Sequence, residues 1–187
     1  MPSILIIGAG AVGAFFGAAP ARQGAQVSVV CRSDFDVVER TGFYIRSPLL
    51  GDHHFQPAQV FSSVDEVAPT FDYVALSTKV LEHIDRAALI RPAIVTNTTI
   101  VLIQNGIDIE REIAAAFPHN ELLSAIAFIG VGRSGSGEIH HQSAGWLTLG
   151  RYPTGLSPAA QTLAAMFEAS GVRCTLTDDV VSARWQK

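Results

Sequence analysis

Apolar and polar positions alternate along this chain in blocks, each short aliphatic run being followed by a longer mixed stretch compatible with a helix. Ile4 to Ile7 and Gln26 to Cys31 read as the first two strands, with a helix-compatible stretch from Ala14 to Arg22 between them. Asp34 to Arg40 is a polar, helix-permissive piece. Phe71 to Ser77 and Thr99 to Gln104 read as later strands of the same sheet, followed by helices over Val80 to Ile90 and Ile109 to Phe117. Continuous apolar runs of this kind belong to parallel strands buried on both faces, and the alternation predicts an α/β fold with a doubly wound, mostly parallel sheet of roughly six or seven strands.

Two stretches break the alternation. Phe43 to Ser47 and Gln59 to Ser62, separated by a Gly/Asp/His/Pro stretch, read as a small insertion of antiparallel strands. Leu122 to Gly132, Gly137 to Gln142 and Trp146 to Leu149 follow one another across Gly and Ser turns with no helix between, which predicts an antiparallel edge. Ser157 to Ser170 then reads as an amphipathic helix and Val172 to Thr177 as a last strand. Pro20 falls inside the first helix, where it removes a hydrogen bond and bends the axis. Thr177-Asp178-Asp179 opens a final helix, its acids favoured by the dipole, and Val180 to Lys187 continues it without a stop signal. The expected organisation is therefore one domain over residues 1–176, with residues 177–187 beginning the first helix of a truncated second domain.

The run from Ile4 to Gly13 ends in Gly8-Ala9-Gly10-Ala11-Val12-Gly13, a G-x-G-x-x-G that passes directly from strand to helix. Gly8 suits the tight turn, Gly10 lets the backbone approach a pyrophosphate, and Gly13 lets helix and strand pack closely. Unpaired N–H groups at the positive end of the following helix hold the phosphates. An ordinary glycine turn is the plainer alternative, disfavoured by the strand before and the helix after.

The end of the second strand selects the cofactor. An NAD site places Asp or Glu there for the ribose 2′-OH, whereas this chain has Cys31-Arg32-Ser33. A guanidinium offers a fork of donors to a 2′-phosphate, so Arg32 points to NADP(H), with Ser33 adding a hydrogen bond. Asp34 close by keeps NAD open.

Composition adds exclusions. The 187 residues are 48% hydrophobic, enough for one substantial core. A net charge of -4, a pI near 5.8 and the lack of any basic run argue against a nucleic-acid partner. Cys31 and Cys174 lie apart with no C-x-x-C spacing, the usage of a reducing cytoplasm. Ile4 to Ala21 is uncharged, but no basic residues precede it and its glycine spacing has a better explanation, so neither a signal sequence nor a membrane partner is expected.

Three polar spots fall where an α/β sheet places its chemistry, at or near strand carboxyl ends. Lys79, in Ser77-Thr78-Lys79, can reach a cofactor or an anionic substrate, or be a solvated loop lysine. Asn105, in Gln104-Asn105-Gly106, carries a donor and acceptors for a substrate hydroxyl or the nicotinamide ribose, or serves only an Asn-Gly turn. Lys187 can protonate the alkoxide formed when hydride reaches a carbonyl carbon. His53-His54 and His140-His141 tempt a metal reading. Adjacent strand residues point to opposite faces, however, and no Cys or carboxylate stands at ligand spacing, so no metal is expected.

Taken together, the glycine motif, Arg32, Thr78-Lys79, Gln104-Asn105-Gly106 and Arg184-Trp185-Gln186-Lys187, in this order and at these separations, resemble the ketopantoate reductase (2-dehydropantoate 2-reductase) family over the whole chain. The resemblance implies an N-terminal Rossmann domain coupled to an all-helical C-terminal domain. It also implies NADPH-dependent reduction of 2-dehydropantoate to pantoate, toward pantothenate and coenzyme A. Lys187 matches the family's general acid, Asn105 its active-site asparagine, Lys79 a lysine near substrate and cofactor, and Arg32 the position that meets the 2′-phosphate. The helical domain and its substrate-clamping residues are missing from this sequence, and Glu82 stands where some members have Gln. Cofactor binding without turnover is expected of these residues alone. A small 2-oxo acid is the expected partner, with a homodimer left open. The competing readings are a non-enzymatic NAD(P)-sensing Rossmann module and a related 2-hydroxy acid or opine-type dehydrogenase.

Overall fold

A computed structural model describes residues 1–68 and 70–187. β1 (Ser3–Ile7), α1 (Ala11–Ala21) and β2 (Gln26–Val30) form a β-α-β unit with Ile4 opposite Val27 in parallel register. After α2 (Phe35–Thr41), β3 (Phe43–Arg46) and β4 (His53–Phe55) make an antiparallel hairpin, and β5 (Val60–Phe61) lies beside β2. β6 (Tyr73–Leu76), α3 (Arg86–Ile90), β7 (Thr99–Leu102) and α4 (Glu110–Ala116) continue the parallel series. β8 (Leu122–Gly135) and β9 (Glu138–Arg151) form a long antiparallel ribbon, followed by α5 (Pro158–Ala169), β10 (Cys174–Leu176) and α6 (Val180–Trp185).

Among the described residues the strands make one ten-stranded sheet in the order β4-β3-β9-β8-β7-β6-β1-β2-β5, with β10 also on β9. Strands β2, β1, β6, β7 and β8 run parallel and β9 reverses, giving a Rossmann-type sheet with an antiparallel edge. Alternation within β1 builds both faces at once. Ile4 and Ile6 join Phe15, Phe16, Val27 and Phe167 in one core; Leu5 and Ile7 join Val74, Ile90, Ile100 and Ile113 in the other. Full burial of such side chains stabilises by roughly 1.5–3 kcal/mol each. Helix α1 is buried without interruption from Gly13 to Pro20, so its sequence is apolar all round rather than striped.

Several details depart from the sequence expectations. The sheet exceeds six or seven strands because the short outlying strands β3, β4, β5 and β10 all join it. The antiparallel partner of β3 is not the expected Gln59–Ser62 segment but β4, which lies in the stretch read as a separator; β3 also docks parallel to β9, while β5 pairs parallel to β2 at the opposite edge. Gly137 to Gln142 and Trp146 to Leu149 belong to one strand, β9. Ser143, Ala144 and Gly145 between them form a register irregularity, with Ala144 (φ 61°) and Gly145 (φ 105°) in left-handed backbone, rather than a chain reversal. The helix expected from Val80 starts only at Arg86, where the Asp85 side chain accepts from the Ala88 N–H at 2.8 Å. Val80, Leu81 and Ile84 are exposed, so no buried face supports an earlier start. Pro20 lies one residue before the end of α1, where its missing N–H costs one bond of the last turn, and its ring faces the same narrow apolar gap as Ile4, Tyr73 and Leu163.

Candidate functional site

The carboxyl ends of the parallel strands gather the sequence's candidates along one edge of the sheet. At the end of β1, Gly8 has φ 91° and its N–H donates to the Val30 carbonyl at 3.2 Å, joined there by the Ala9 N–H at 3.1 Å. The first helical bond runs from the Ala14 N–H to the Gly10 carbonyl at 2.8 Å, so the amides of Ala11, Val12 and Gly13 precede the helical ladder. A Cβ on Gly13 would press on Ser77 Oγ and lie 2.7 Å from the Gly8 carbonyl oxygen. On Gly10 it would meet no atom of the chain within 4 Å. Packing explains glycine at position 13 and leaves position 10 to the close approach of a ligand, which fits a pyrophosphate cradle.

At the end of β2, Arg32 and Ser33 are exposed and Asp34 is buried. Arg133, far along β8, reaches this corner: its Nη1 donates to Ser33 Oγ at 2.8 Å and pairs with Asp34 Oδ2 at 3.1 Å. Nothing in the local sequence signals this arginine, because only the length and course of β8 bring it here.

The loops after β6 and β7 are bolted together. Gln104 Nε2 donates to the Thr78 carbonyl at 2.6 Å, and Gln104 Oε1 accepts from buried Arg86, which also pairs with Glu112 at 2.6 Å. Lys79 stands exposed beyond this clamp, on the same loop as Thr78. Asn105 is also exposed, and its Oδ1 accepts from Lys187 Nζ at 2.5 Å. Lys187 further donates to the Ala127 carbonyl at 2.5 Å and lies 4.9 Å from the centre of the Phe128 ring. Burial, and secondarily the nearby Arg184 guanidinium, hold its ammonium below the usual lysine value.

Helix α6 carries Lys187 to this place. Asp179 caps it by accepting from the Ser182 N–H at 2.9 Å. Arg184 then enters the body, donating to the carbonyls of Gln104 (2.9 Å) and Gly106 (3.1 Å) and to Ser124 Oγ (2.6 Å), and pairing with Glu110. Glu110 and Ser124 carried no sequence signal; their roles come from contacts across long separations. Val80, Leu81, Ile84, Ile107 and Trp185, all large and apolar, are exposed on the segments that follow β6 and β7 and on α6.

The histidine pairs separate into different surroundings. His53 Nδ1 lies 2.9 Å from the Gly51 carbonyl and His54 Nε2 contacts the Thr41 carbonyl, while His141 is buried with Nδ1 2.8 Å from Ser47 Oγ. A shallow depression of about 480 Å³ lined by residues including Pro118, Glu121 and Arg151 lies at the opposite end of β8. Among the described residues no helix is long and apolar enough to cross a membrane.

The glycine turn, the parallel strand order and the polar carboxyl edge together define a Rossmann-type α/β protein of the dinucleotide-binding kind. The chain belongs to the ketopantoate reductase PanE/ApbA family, whose model matches residues 4–154. It is 27% identical over 187 residues to the 2-dehydropantoate 2-reductase of Nostoc sp., covering 97% of this chain and 58% of that one. The structure of 2-dehydropantoate 2-reductase from Methylococcus capsulatus is similar at 51% identity and a TM-score of 0.94, over 98% of this chain and 59% of that one. The Geobacter metallireducens 2-dehydropantoate 2-reductase gives 32% identity and a TM-score of 0.89, over 98% and 60%. The chain thus spans less than two thirds of the length of these relatives.

Proposed function

We propose that this chain is the NADP(H)-binding part of a reductase that converts a 2-oxo acid, 2-dehydropantoate, to the corresponding 2-hydroxy acid, pantoate, in pantothenate and coenzyme A biosynthesis. The observation that carries the reading is Lys187 Nζ held 2.5 Å from Asn105 Oδ1 at the carboxyl edge of the sheet. The family and the names of the relatives support the substrate class.

On this reading Gly8, Ala9, Gly10, Ala11, Val12 and Gly13 hold the pyrophosphate, Arg32 takes the 2′-phosphate, and Lys79 and Asn105 meet the remainder of the cofactor and the substrate. The nicotinamide, when bound, supplies the hydride that reaches the carbonyl carbon. Asn105 orients the substrate oxygen, and Lys187 Nζ gives its proton to the oxyanion as charge develops there. A lysine held below its ordinary value parts with that proton more readily than a free one. Residues 1–176 form the cofactor domain, and residues 177–187 hold α6, which delivers the acid.

The test is a calorimetric titration with NADPH and NADH, on the chain and on Arg32→Ala. Tighter binding of NADPH that Arg32→Ala abolishes supports the reading; equal binding of both, or of neither, overturns its cofactor assignment. For the acid, 2-dehydropantoate reduction is measured in the protein extended past residue 187 and in its Lys187→Ala variant. Loss of turnover with the cofactor dissociation constant unchanged supports Lys187 as proton donor. Unchanged turnover removes it from the mechanism.

A further inference from the structure

We propose that Arg133 is a specificity-determining residue of the cofactor site, which it serves by neutralising Asp34 beside the 2′-phosphate position; this rests on the NADP(H) reading above. Asp34 follows Arg32 and Ser33 directly, at the head of α2, and a carboxylate there opposes a phosphate dianion. Its side chain is 3% exposed, paired with Arg133 Nη1 at 3.1 Å and accepting from the Gly137 N–H at 3.4 Å. The acid that would favour NAD is thus withdrawn into the protein and its charge balanced.

Arg133 is well placed to act on a ligand as well as on Asp34. Its side chain remains 44% exposed, and among the described residues both of its polar contacts use Nη1, leaving Nε and Nη2 uncommitted. The same nitrogen donates to Ser33 Oγ at 2.8 Å, so the Ser33 hydroxyl proton is left to point elsewhere, toward an acceptor such as a phosphate oxygen. The corner therefore presents two guanidinium groups and a hydroxyl, and its one carboxylate is already satisfied. An ordinary fold-holding bond between the β8–β9 ribbon and α2 makes a different forecast: its loss weakens both cofactors alike.

The experiment is a titration of the chain, Arg133→Met, Asp34→Asn and the double variant with NADPH and NADH, each at two salt concentrations. For Arg133→Met a fall in NADPH affinity of about tenfold or more is expected, the scale of one lost charge interaction, with NADH changed much less. The double variant, with no carboxylate to neutralise, recovers a large part of the NADPH affinity and keeps the corner isosteric if the single variant folds poorly. NADPH binding should also depend less steeply on salt once Arg133 is gone. Equal loss of both cofactors, unchanged NADPH affinity in Arg133→Met, or no recovery in the double variant overturns the proposal. Failure of the underlying reading shows separately, in the unsubstituted chain and Arg32→Ala, as no preference for NADPH.

Discussion

Arg184 and Glu110, 74 residues apart in sequence, form an ion pair at 2.6 Å with side chains only 4% and 3% exposed. The pair joins α6 to the head of α4, and Ser124 Oγ closes the network by donating to Glu110 Oε1 at 2.5 Å. Burial pushes the Arg184 guanidinium value down and Glu110 counters it; an arginine stays charged throughout. This network fixes the helix from which Lys187 reaches Asn105.

Removing one partner leaves an uncompensated buried charge. Arg184→Met is expected to cost about 3–5 kcal/mol in urea unfolding, whereas Arg184→Met/Glu110→Leu recovers most of that loss, because two buried charges and their desolvation disappear together. A double variant as unstable as the single one would show that the network's other hydrogen bonds dominate.

Two glycines of the same loop should respond oppositely. Gly13→Ala places a methyl against Ser77 and the Gly8 carbonyl and is expected to lower stability by about 1–3 kcal/mol. Gly10 has φ -77° and open space around its missing Cβ, so Gly10→Ala should leave stability within about 0.5 kcal/mol. On the proposed reading, dinucleotide affinity should nevertheless drop, because the methyl stands where the backbone would approach the pyrophosphate. Thermal unfolding and cofactor titration of both variants separate the two effects.

The lowered Lys187 value has a direction in pH. Folding makes this lysine release its proton at lower pH than the unfolded chain does, so its charged form penalises folding at neutral pH and the penalty lifts as pH rises toward the unfolded value. As the proposed proton donor it would run out of protonated form earlier on the alkaline side than an ordinary lysine. An NMR titration of its Cε resonance should inflect below 10.5, and in Arg184→Met the inflection should rise as a neighbouring positive charge is lost. An inflection at or above 10.5 would contradict the burial argument.

Both thiols are pushed up by burial, Cys31 to about 11 with Asp34 contributing and Cys174 to about 12 with Glu168 contributing. At pH 8 the more acidic of the two is thiolate in only about one molecule in a thousand. Iodoacetamide should leave the folded chain unlabelled at pH 8 and label both cysteines in urea. Rapid labelling of folded Cys31 would show that the corner beside Asp34 opens.

The glycine turn and the central strands were legible because their signals are local: a β-branched run, a spacing of small residues and a helix start are each written within a dozen positions. Lys79, Asn105 and Lys187 were legible only as polar residues near strand ends or in a sequence pattern. The helix at Val80 was overread because apolar periodicity does not reveal whether a buried face awaits it, and the two halves of β9 were separated because a bulge and a turn use the same Ser-Ala-Gly residues. Local sequence patterns were enough for the α/β class, the glycine turn between strand and helix, and the strand ends where polar residues collect. That β8 delivers Arg133 to Asp34, and that Arg184 locks α6 so that Lys187 meets Asn105, follows from the packing of the whole molecule. Pairings 99 and 82 residues apart are chosen by the course of the whole sheet and by the need to compensate each buried charge, and no short stretch of chain carries that information.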